Sequence, residues 1–236
     1  MLRSLIAVSV VALLPATALG HGDVAPQPVD TDALPDVGEE WLEENPYRAE
    51  AVGADVWAAA VSIGASGYNQ NCARCHGLEV VSGGLAPDLR YLEANIDGDE
   101  WYIERYINGY TQNGITKMPA FGELLGQKAA WAIRTYVETR PDDGALDDYA
   151  DTLKGIRDDL KAKAEAISGG AGYASISGEV DAHVATLKDM VASIATASGA
   201  PIADSAVSRA LADLNGTAEG VSAAVDTLTI GLSAAQ

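Results

Sequence analysis

The sequence is poor in cysteine and in basic residues. It has two cysteines, three methionines and three histidines among 236 residues. Two cysteines can form at most one disulfide, so the chain is not a disulfide-rich scaffold. Fifteen lysines and arginines stand against 34 acidic residues, which gives a net charge of −19. Because binding to a phosphate backbone requires a basic face, this balance argues against a nucleic-acid partner.

The largely apolar stretch near the start of the chain is too short to cross a bilayer. It runs from Leu5 to Leu14, ten residues, whereas a membrane-spanning helix needs about 20. Arg3 precedes the stretch, and the small-residue sequence Ala18-Leu19-Gly20 follows it. This pattern predicts a signal peptide over residues 1–20 and a mature chain that begins at His21. We therefore expect an exported, periplasmic protein with no transmembrane span in the mature chain.

Acidic residues are concentrated in the two flanks of the mature chain. Residues 21–60 contain ten acidic residues and one basic residue, and residues 141–236 contain fifteen and six. Residues 61–140 are nearly neutral, with nine acidic and seven basic residues. Runs of like charge usually form a solvated face that keeps a protein soluble. A specific acidic docking surface is the alternative.

Hydrophobic spacing predicts helices in the middle of the chain and almost no strands. Residues 21–54 are acidic and contain prolines, so they predict an irregular arm. A first helix is expected to begin near Asp55 as its N-cap, a second to run from Asp99 to Asn108, and a third from Gln127 to Thr139. Residues 55–141 thus predict a small all-α domain whose helices are joined by long loops.

The composition changes after Pro141. Residues 142–236, called here the C-terminal segment, are rich in Ala, Ser, Gly and Asp. Three amphipathic stripes predict an antiparallel three-helix bundle or an oligomerising coil, through which the chain could form a homo-oligomer. A poorly folded Ala/Ser tail is the alternative. The stripes contain Leu146, Tyr149, Leu153, Ile156, Leu160 and Ile167; Val180, Val184, Leu187, Val191 and Ile194; and Val207, Leu211, Leu214, Val221, Val225, Leu228 and Leu232.

Both cysteines lie in the run Cys72-Ala73-Arg74-Cys75-His76. A C-x-x-C-H run is the attachment site of a c-type haem, in which two thiols add to the porphyrin vinyl groups and the histidine binds the iron. A thioredoxin-like pair needs no histidine and lies in a βαβ unit, which this pattern does not predict. A zinc site needs two further ligands, and the sequence has no second C-x-x-C. The motif therefore predicts one haem c, bound through Cys72 and Cys75 with His76 as a ligand.

The second axial ligand decides what the iron can do. Met118, which follows a Gly-containing loop 42 residues after His76, is the predicted ligand. Met190 is expected to fill the core of the C-terminal segment, His183 to lie at its surface, and His21 to lie at the mature terminus. A distal histidine and an open site are the alternatives. Ligation by His and Met fills both axial positions and is typical of an electron carrier.

Two further groups of residues are expected to support the haem. Pro87 lies eleven residues after His76, where its carbonyl could accept the Nδ1 proton of that imidazole and fix its tautomer. An ordinary turn proline is the alternative. Gly64 and Tyr68 share one helical face, and we expect the glycine to permit a close crossing by the helix that carries Tyr136.

The two ligand motifs, Cys72-x-x-Cys75-His76 and Met118-Pro119, resemble those of class I c-type cytochromes. More narrowly, residues 21–141 resemble the soluble cytochromes c that accept electrons from periplasmic PQQ-dependent alcohol dehydrogenases. The resemblance implies an all-α class I fold around one haem, a quinoprotein alcohol dehydrogenase as electron donor, and a downstream cytochrome or terminal oxidase as acceptor. The C-terminal segment does not match that family. Further stretches that carry the resemblance are HGDV (21–24), PVDT (28–31), NPYR (45–48), IGASGYNQNCARCHGLE (63–79), PDLR (87–90), DEW (99–101) and AWAIRTYVETRP (130–141).

Three other functions remain open at this point. The protein could carry electrons for a different periplasmic dehydrogenase or oxidase. It could be a haem sensor with an open distal site and the C-terminal helices as its output. A haem peroxidase would commonly need a second haem, whereas the sequence has one C-x-x-C-H motif.

Overall fold

The computed structural model describes residues 25–234, and over this range the protein is mostly helical. This confirms the predicted all-α class. The predicted signal peptide, His21 and residues 22–24 lie outside the described residues. The elements are α1 (Ala49–Val52), α2 (Ala54–Asn71), α3 (Ala73–His76), α4 (Ile96–Asn108), β1 (Tyr110–Gln112), β2 (Ile115–Met118), α5 (Gly122–Glu138), α6 (Ala150–Ser168), α7 (Ser177–Val191), α8 (Ala206–Asp213) and α9 (Ala218–Ala234).

The acidic arm carries no helix or strand between residue 25 and the start of α1. It is nevertheless packed against the helices, because Leu34 and Tyr47 are buried in the first hydrophobic core. The Tyr47 hydroxyl donates a hydrogen bond of 2.9 Å to the carbonyl of Pro35. Residues 25–141, called here the N-terminal module, therefore share one core.

Two helices begin earlier than the sequence predicts. Helix α2 begins at Ala54 after Gly53, whose φ of 78° ends α1, so Asp55 lies in the first turn and its prediction as the N-cap is wrong. Helix α4 begins at Ile96, because the Asn95 side chain accepts a hydrogen bond from the main-chain N–H of Gly98 and caps the helix. Its end at Asn108 is as predicted, with Gly109 following.

Helices α2 and α5 cross closely at Gly64. A Cβ atom at this position would lie 1.9 Å from the carbonyl oxygen of Ala132, so only glycine fits. The rings of Tyr68 and Tyr136 are in tilted contact near the crossing, with centroids 5.4 Å apart. The predicted crossing is therefore confirmed. Helix α5 is kinked at Gly126, so its straight part begins at the predicted Gln127.

Strands β1 and β2 form a hairpin where the sequence predicts a Gly-containing loop. Its two-residue turn consists of Asn113 and Gly114, with φ values of 52° and 75°. Positive φ at both central residues is the type I′ turn that suits the twist of a hairpin. The Asn-Gly pair was the sequence signal for this element.

In the described part of the C-terminal segment, residues 142–234, four α-helices build a second core, whereas its stripes predict three. The third stripe is divided by a turn at Asn215 and Gly216, where Gly216 has a φ of 84°. Helix α8 has a capping box of its own, in which Ser205 and Ser208 each bond the other's main chain. Within residues 25–234, no helix is long and apolar enough to cross a membrane.

Candidate haem-binding site

The three side chains of the C-x-x-C-H motif lie on a single turn that follows α2. Cys72 ends α2, and its main-chain N–H donates to the carbonyl of Tyr68 at 2.7 Å. The N–H groups of Cys75 and His76 both donate to the carbonyl of Cys72 at 3.0 Å, which forms the short helix α3. Gly77, with a φ of 86°, ends the turn. The motif is therefore preorganised by its own backbone at the end of the long helix.

The two thiols differ in exposure and are not joined by a disulfide. Cys72 is half-buried and Cys75 is exposed. Burial raises the pKa of the Cys72 thiol to about 12, with a smaller contribution from Cys75. A thioredoxin-like nucleophile has a lowered pKa, so the electrostatics of this pair are the opposite of those of a redox-active dithiol.

His76 is 9% exposed, and its ring is held in one tautomer. Nδ1 lies 2.9 Å from the carbonyl oxygen of Pro87. A carbonyl can only accept a hydrogen bond, so Nδ1 carries the proton and Nε2 carries the lone pair. Burial lowers the pKa of His76, although the Pro87 bond and Asp88 act in the opposite direction. The side chain is thus a neutral imidazole that can bind a metal through Nε2.

The loop that supplies Pro87 is strongly constrained. We call residues 77–91 the proximal loop. A Cβ at Gly77 would lie 1.8 Å from the carbonyl oxygen of Val81, so the loop folds back tightly on itself. The Tyr68 hydroxyl donates to the Gly77 carbonyl at 2.8 Å, and the Asp88 side chain accepts from the Arg90 N–H. These bonds fix the Pro87 carbonyl relative to α3.

Met118 ends β2, is half-buried and packs against the first core. Gly109, the residue between α4 and β1, approaches it closely, because a Cβ there would lie 2.5 Å from the Met118 carbonyl oxygen. Two other candidates belong to the C-terminal segment: Met190 is buried in the second core, and Nε2 of His183 lies 2.6 Å from an Asp159 carboxylate oxygen. The fourth candidate, His21, lies outside the described residues.

Most of the exposed large apolar side chains in the described part of the chain belong to the stretch that follows the motif and includes the hairpin. Eight of the ten exposed large hydrophobic residues in the described part of the chain lie between positions 78 and 124. A porphyrin is a flat apolar group that covers such a surface, and two thiols, a neutral imidazole and a thioether are the donor set of haem c. The residues present therefore fit the group. The eight are Leu78, Val81, Leu85, Tyr91, Ile96, Tyr110, Ile115 and Leu124.

Buried aromatic rings lie behind this surface. Tyr102, Tyr106 and Phe121 are in successive ring contact, with centroids 5.8 Å apart in both pairs. Burial raises the pKa of Tyr102 and of Tyr106. The Tyr102 hydroxyl is satisfied by the carbonyl of Ala130 at 3.0 Å. This core gives the site low-polarity surroundings.

A set of buried ion pairs could not be anticipated from sequence. Arg134 and Asp99 are both fully buried and are joined at 2.8 Å, and Arg48 joins Asp99 and Glu138 from the arm. Arg140 is also fully buried, between Glu79 and Asp204. The partners are 35 to 90 residues apart along the chain, so no local spacing indicates the pairing. Among residues 25–234, no group of three His, Cys, Asp or Glu side chains could hold a metal ion.

Comparisons with known proteins identify a matching family and several similar proteins. The family model described as cytochrome c oxidase, cbb3-type, subunit III matches residues 59–137. Cytochrome c550 of Pseudomonas aeruginosa is 54% identical over 126 residues, which are 53% of this chain and 85% of that protein.

Two enzymes of Pseudomonas putida are more distant relatives. Quinohemoprotein alcohol dehydrogenase ADH-IIG is 31% identical over 96 residues, which are 41% of this chain and 12% of the enzyme. Quinohemoprotein alcohol dehydrogenase ADH IIB is 33% identical over 100 residues, which are 40% of this chain and 14% of that enzyme. No solved structure gives a significant match.

Proposed function

The chain belongs to the c-type cytochromes, and we propose that it is a periplasmic electron carrier. It would hold one haem c, bound covalently through Cys72 and Cys75, with His76 and Met118 as the axial ligands. In this proposal, residues 1–20 are a cleaved signal peptide and residues 21–54 an N-terminal arm. Residues 55–141 are the cytochrome domain, and residues 142–236 are a helical extension.

The observation that carries the proposal is the environment of His76. Its Nδ1 proton is directed to the Pro87 carbonyl at 2.9 Å, and burial lowers its pKa. Burial keeps the imidazole neutral near pH 7. The bond to Pro87 acts in the opposite direction on the pKa, but it holds the remaining proton at Nδ1 and so leaves the Nε2 lone pair for a metal. A hydrogen bond at the second ring nitrogen also fixes the ring orientation of a ligating histidine and raises its basicity. Pro87 is therefore part of the proposed site.

Met118 supplies the ligand that distinguishes a carrier from a catalyst. Haem c supplies a one-electron couple between ferric and ferrous iron, and a thioether ligand favours the ferrous form relative to a second imidazole. With His76 and Met118 both bound to the iron, no coordination position would remain for a substrate. The exposed Cys75 marks the edge of the protein at which electrons would enter and leave.

The proposed electron donor is a PQQ-dependent alcohol dehydrogenase. Two alcohol dehydrogenases, each named a quinohemoprotein, contain a stretch similar to this chain over about an eighth of their length. We infer from this similarity that the chain, as a separate protein, accepts electrons from an alcohol dehydrogenase of this kind. A downstream cytochrome or terminal oxidase would accept the electron.

Stopped-flow reduction of the oxidised holoprotein tests this proposal. The protein is mixed with a PQQ-dependent alcohol dehydrogenase and an alcohol, and the control omits the alcohol. We expect reduction that depends on alcohol and is faster than with a quinoprotein glucose dehydrogenase. Because residues 61–140, which contain the proposed ligands, are nearly neutral and include most of the exposed large apolar side chains of the described residues, the rate should change only modestly with salt. Equal rates with both enzymes would contradict the assignment of the donor.

A further inference from the structure

The end of α5 and the two residues after it are hydrogen-bonded to the C-terminal segment. A helix leaves its last carbonyl groups without partners of its own. Here a stretch between α7 and α8 bonds the carbonyl of Glu138, the last residue of α5, and those of the next two residues. The two regions are therefore joined through the main chain. The bonds run from the Ala197 N–H to the Arg140 carbonyl (3.1 Å), from the Asp204 N–H to the Thr139 carbonyl (2.9 Å) and from the Ser198 hydroxyl to the Glu138 carbonyl.

Arg140 links this capping stretch to the beginning of the proximal loop. Its side chain is fully buried, and one terminal nitrogen lies 2.7 Å from a carboxylate oxygen of Glu79. The other terminal nitrogen pairs with Asp204. Glu79 follows His76 by three residues. A residue of the C-terminal segment is thus connected to the loop of the proposed axial ligand through one buried guanidinium.

Arg90 makes an equivalent link at the other end of the proximal loop. Its side chain is buried and pairs with Asp88 at 2.8 Å and with Asp143 at 2.7 Å. Asp143 also accepts a hydrogen bond from the Tyr91 hydroxyl at 3.0 Å. Asp88 is the residue after Pro87, whose carbonyl holds the ring of His76. Both ends of the loop are therefore tied to the C-terminal segment.

The loop is strained at the point where Arg140 holds it. Glu79 and Val80 have φ values of 52° and 66°, in the left-handed region that β-branched residues rarely adopt. Val80 is fully buried. Such a conformation persists only where the surrounding structure maintains it, and the ion pair between Arg140 and Glu79 acts at this position.

We propose that the C-terminal segment positions the axial histidine. Asp204, acting through Arg140, and Asp143, acting through Arg90, hold the two ends of the proximal loop and thereby fix the Pro87 carbonyl against His76. These four are positioning residues, since none of them would touch the iron. The inference rests on the proposed function, because it takes His76 as the ligand.

Exchange of the His76 Nδ1 proton in the ferrous holoprotein, followed by NMR, tests this inference. Asp204→Asn should accelerate the exchange about tenfold, because it leaves a buried guanidinium with one acidic partner fewer. Asp143→Asn should accelerate it about twofold, because this carboxylate is 71% exposed. The control Asp159→Asn changes the charge equally within the C-terminal segment, at a carboxylate bonded to His183, and should leave the rate unchanged.

The amide of Ile133, buried in α5, separates a local effect from a global one. It should exchange at the same rate in all variants if the loop alone is released. Equal His76 rates in the wild type and all three variants, or acceleration of His76 and Ile133 in parallel, would overturn the inference. If Asp204→Asn does not fold, the comparison of Asp143→Asn with the wild type decides: His76 should exchange faster while Ile133 is unchanged. A wild-type protein without haem would overturn this inference together with the proposed function, whereas a haem protein with unchanged rates would overturn the inference alone.

Discussion

At His76, a main-chain oxygen determines which ring nitrogen can bind a metal. The Pro87 carbonyl cannot donate a proton, so the Nδ1 position must carry one, and Nε2 is the remaining ligand atom. A side-chain partner such as a carboxylate would add a charge beside the ligand. The neutral carbonyl orients the imidazole without adding one, which suits an iron whose own charge changes in each transfer.

Met118 should control both the spectrum and the reactivity of the iron. In Met118→Ala, the near-infrared sulfur–iron absorption band of the ferric protein should disappear, and the reduction potential should fall because the thioether no longer stabilises ferrous iron. Absorption spectroscopy and a redox titration measure these changes.

Met190→Leu is the matched control for this change. Met190 is buried in the second core, and replacement by Leu conserves volume and leaves the iron ligands intact. The band and the potential should therefore remain as in the wild type. A Met118→Ala protein with the wild-type band, or a Met190→Leu protein without it, would exclude Met118 as the ligand.

Residue-level features differed in how far the sequence could predict them. The motif of Cys72, Cys75 and His76 requires a fixed local spacing, so it can be identified from sequence alone. The pairing of Arg140 with Glu79 and Asp204 could not be, because the partners are 61 and 64 residues away and any of the 34 acidic residues could have been chosen.

Among the elements, the crossing of α2 and α5 sets the framework of the site. Helix α2 ends at the haem motif, and its position on α5 depends on the absence of a side chain at Gly64. The hairpin β1–β2 then presents Met118, and its turn needs positive φ at Asn113 and Gly114. Glycine thus permits a close helix contact in one element and an unusual turn in the other.

Gly64→Ala should destabilise the protein through this crossing. The new Cβ would lie 1.9 Å from the Ala132 carbonyl oxygen and 2.9 Å from Cβ of Tyr136, so the helices must separate. We expect a loss of about 3 kcal/mol in the free energy of unfolding, measured by guanidinium denaturation of the holoprotein.

Gly155→Ala serves as the comparison for that substitution. Gly155 also lies inside a helix, α6, but nothing lies within 4 Å of the position of its Cβ. Replacement there should stabilise the protein by about 0.5–1 kcal/mol through helix propensity. Similar effects of the two substitutions would show that the close crossing does not form.

The elements were predictable where a periodic apolar pattern was bounded by a glycine, as at the end of α4. The starts of α2 and α4 were less predictable. Asn95 caps α4 through its side chain, and Gly53 is the N-cap of α2 without a side-chain bond, whereas the nearby aspartates are equally typical N-cap residues. The division of the last stripe into α8 and α9 was missed because apolar residues continue in register across the turn at Gly216.

At the scale of the molecule, residues 25–234 form two hydrophobic cores that are linked by hydrogen bonds and ion pairs. The N-terminal module buries aromatic residues, and the C-terminal segment buries aliphatic ones. Between them lie the capping bonds of α5 and the ion pairs of Arg140 and Arg90. Because ion pairs depend on protonation, the link between the two regions should depend on pH.

Acid should weaken the contact that Asp143 makes. Hydrogen bonds from Arg90, and then from Tyr91, lower the pKa of Asp143. The folded state then binds fewer protons than the unfolded state, so the contribution is complete above the ordinary Asp value of about 3.9 and is lost as the pH falls below it. In Asp143→Asn, the free energy of unfolding should therefore decrease less steeply between about pH 5 and pH 3.

Urea denaturation at several pH values measures this slope. Asp148→Asn, which removes another exposed carboxylate of the same stretch, should keep the slope of the wild type. If Asp143→Asn and the wild type have the same slope, Asp143 does not link the two regions in solution.

The central claim is that a single haem is held by His76 on one side and by Met118 on the other, so that the protein transfers electrons and binds no substrate at iron. Carbon monoxide binding to the reduced, unmodified holoprotein at pH 7 tests it most directly, since the gas requires an open axial position. We predict no change in the Soret absorption over several minutes after the gas is added. An immediate shift of that band would contradict the account.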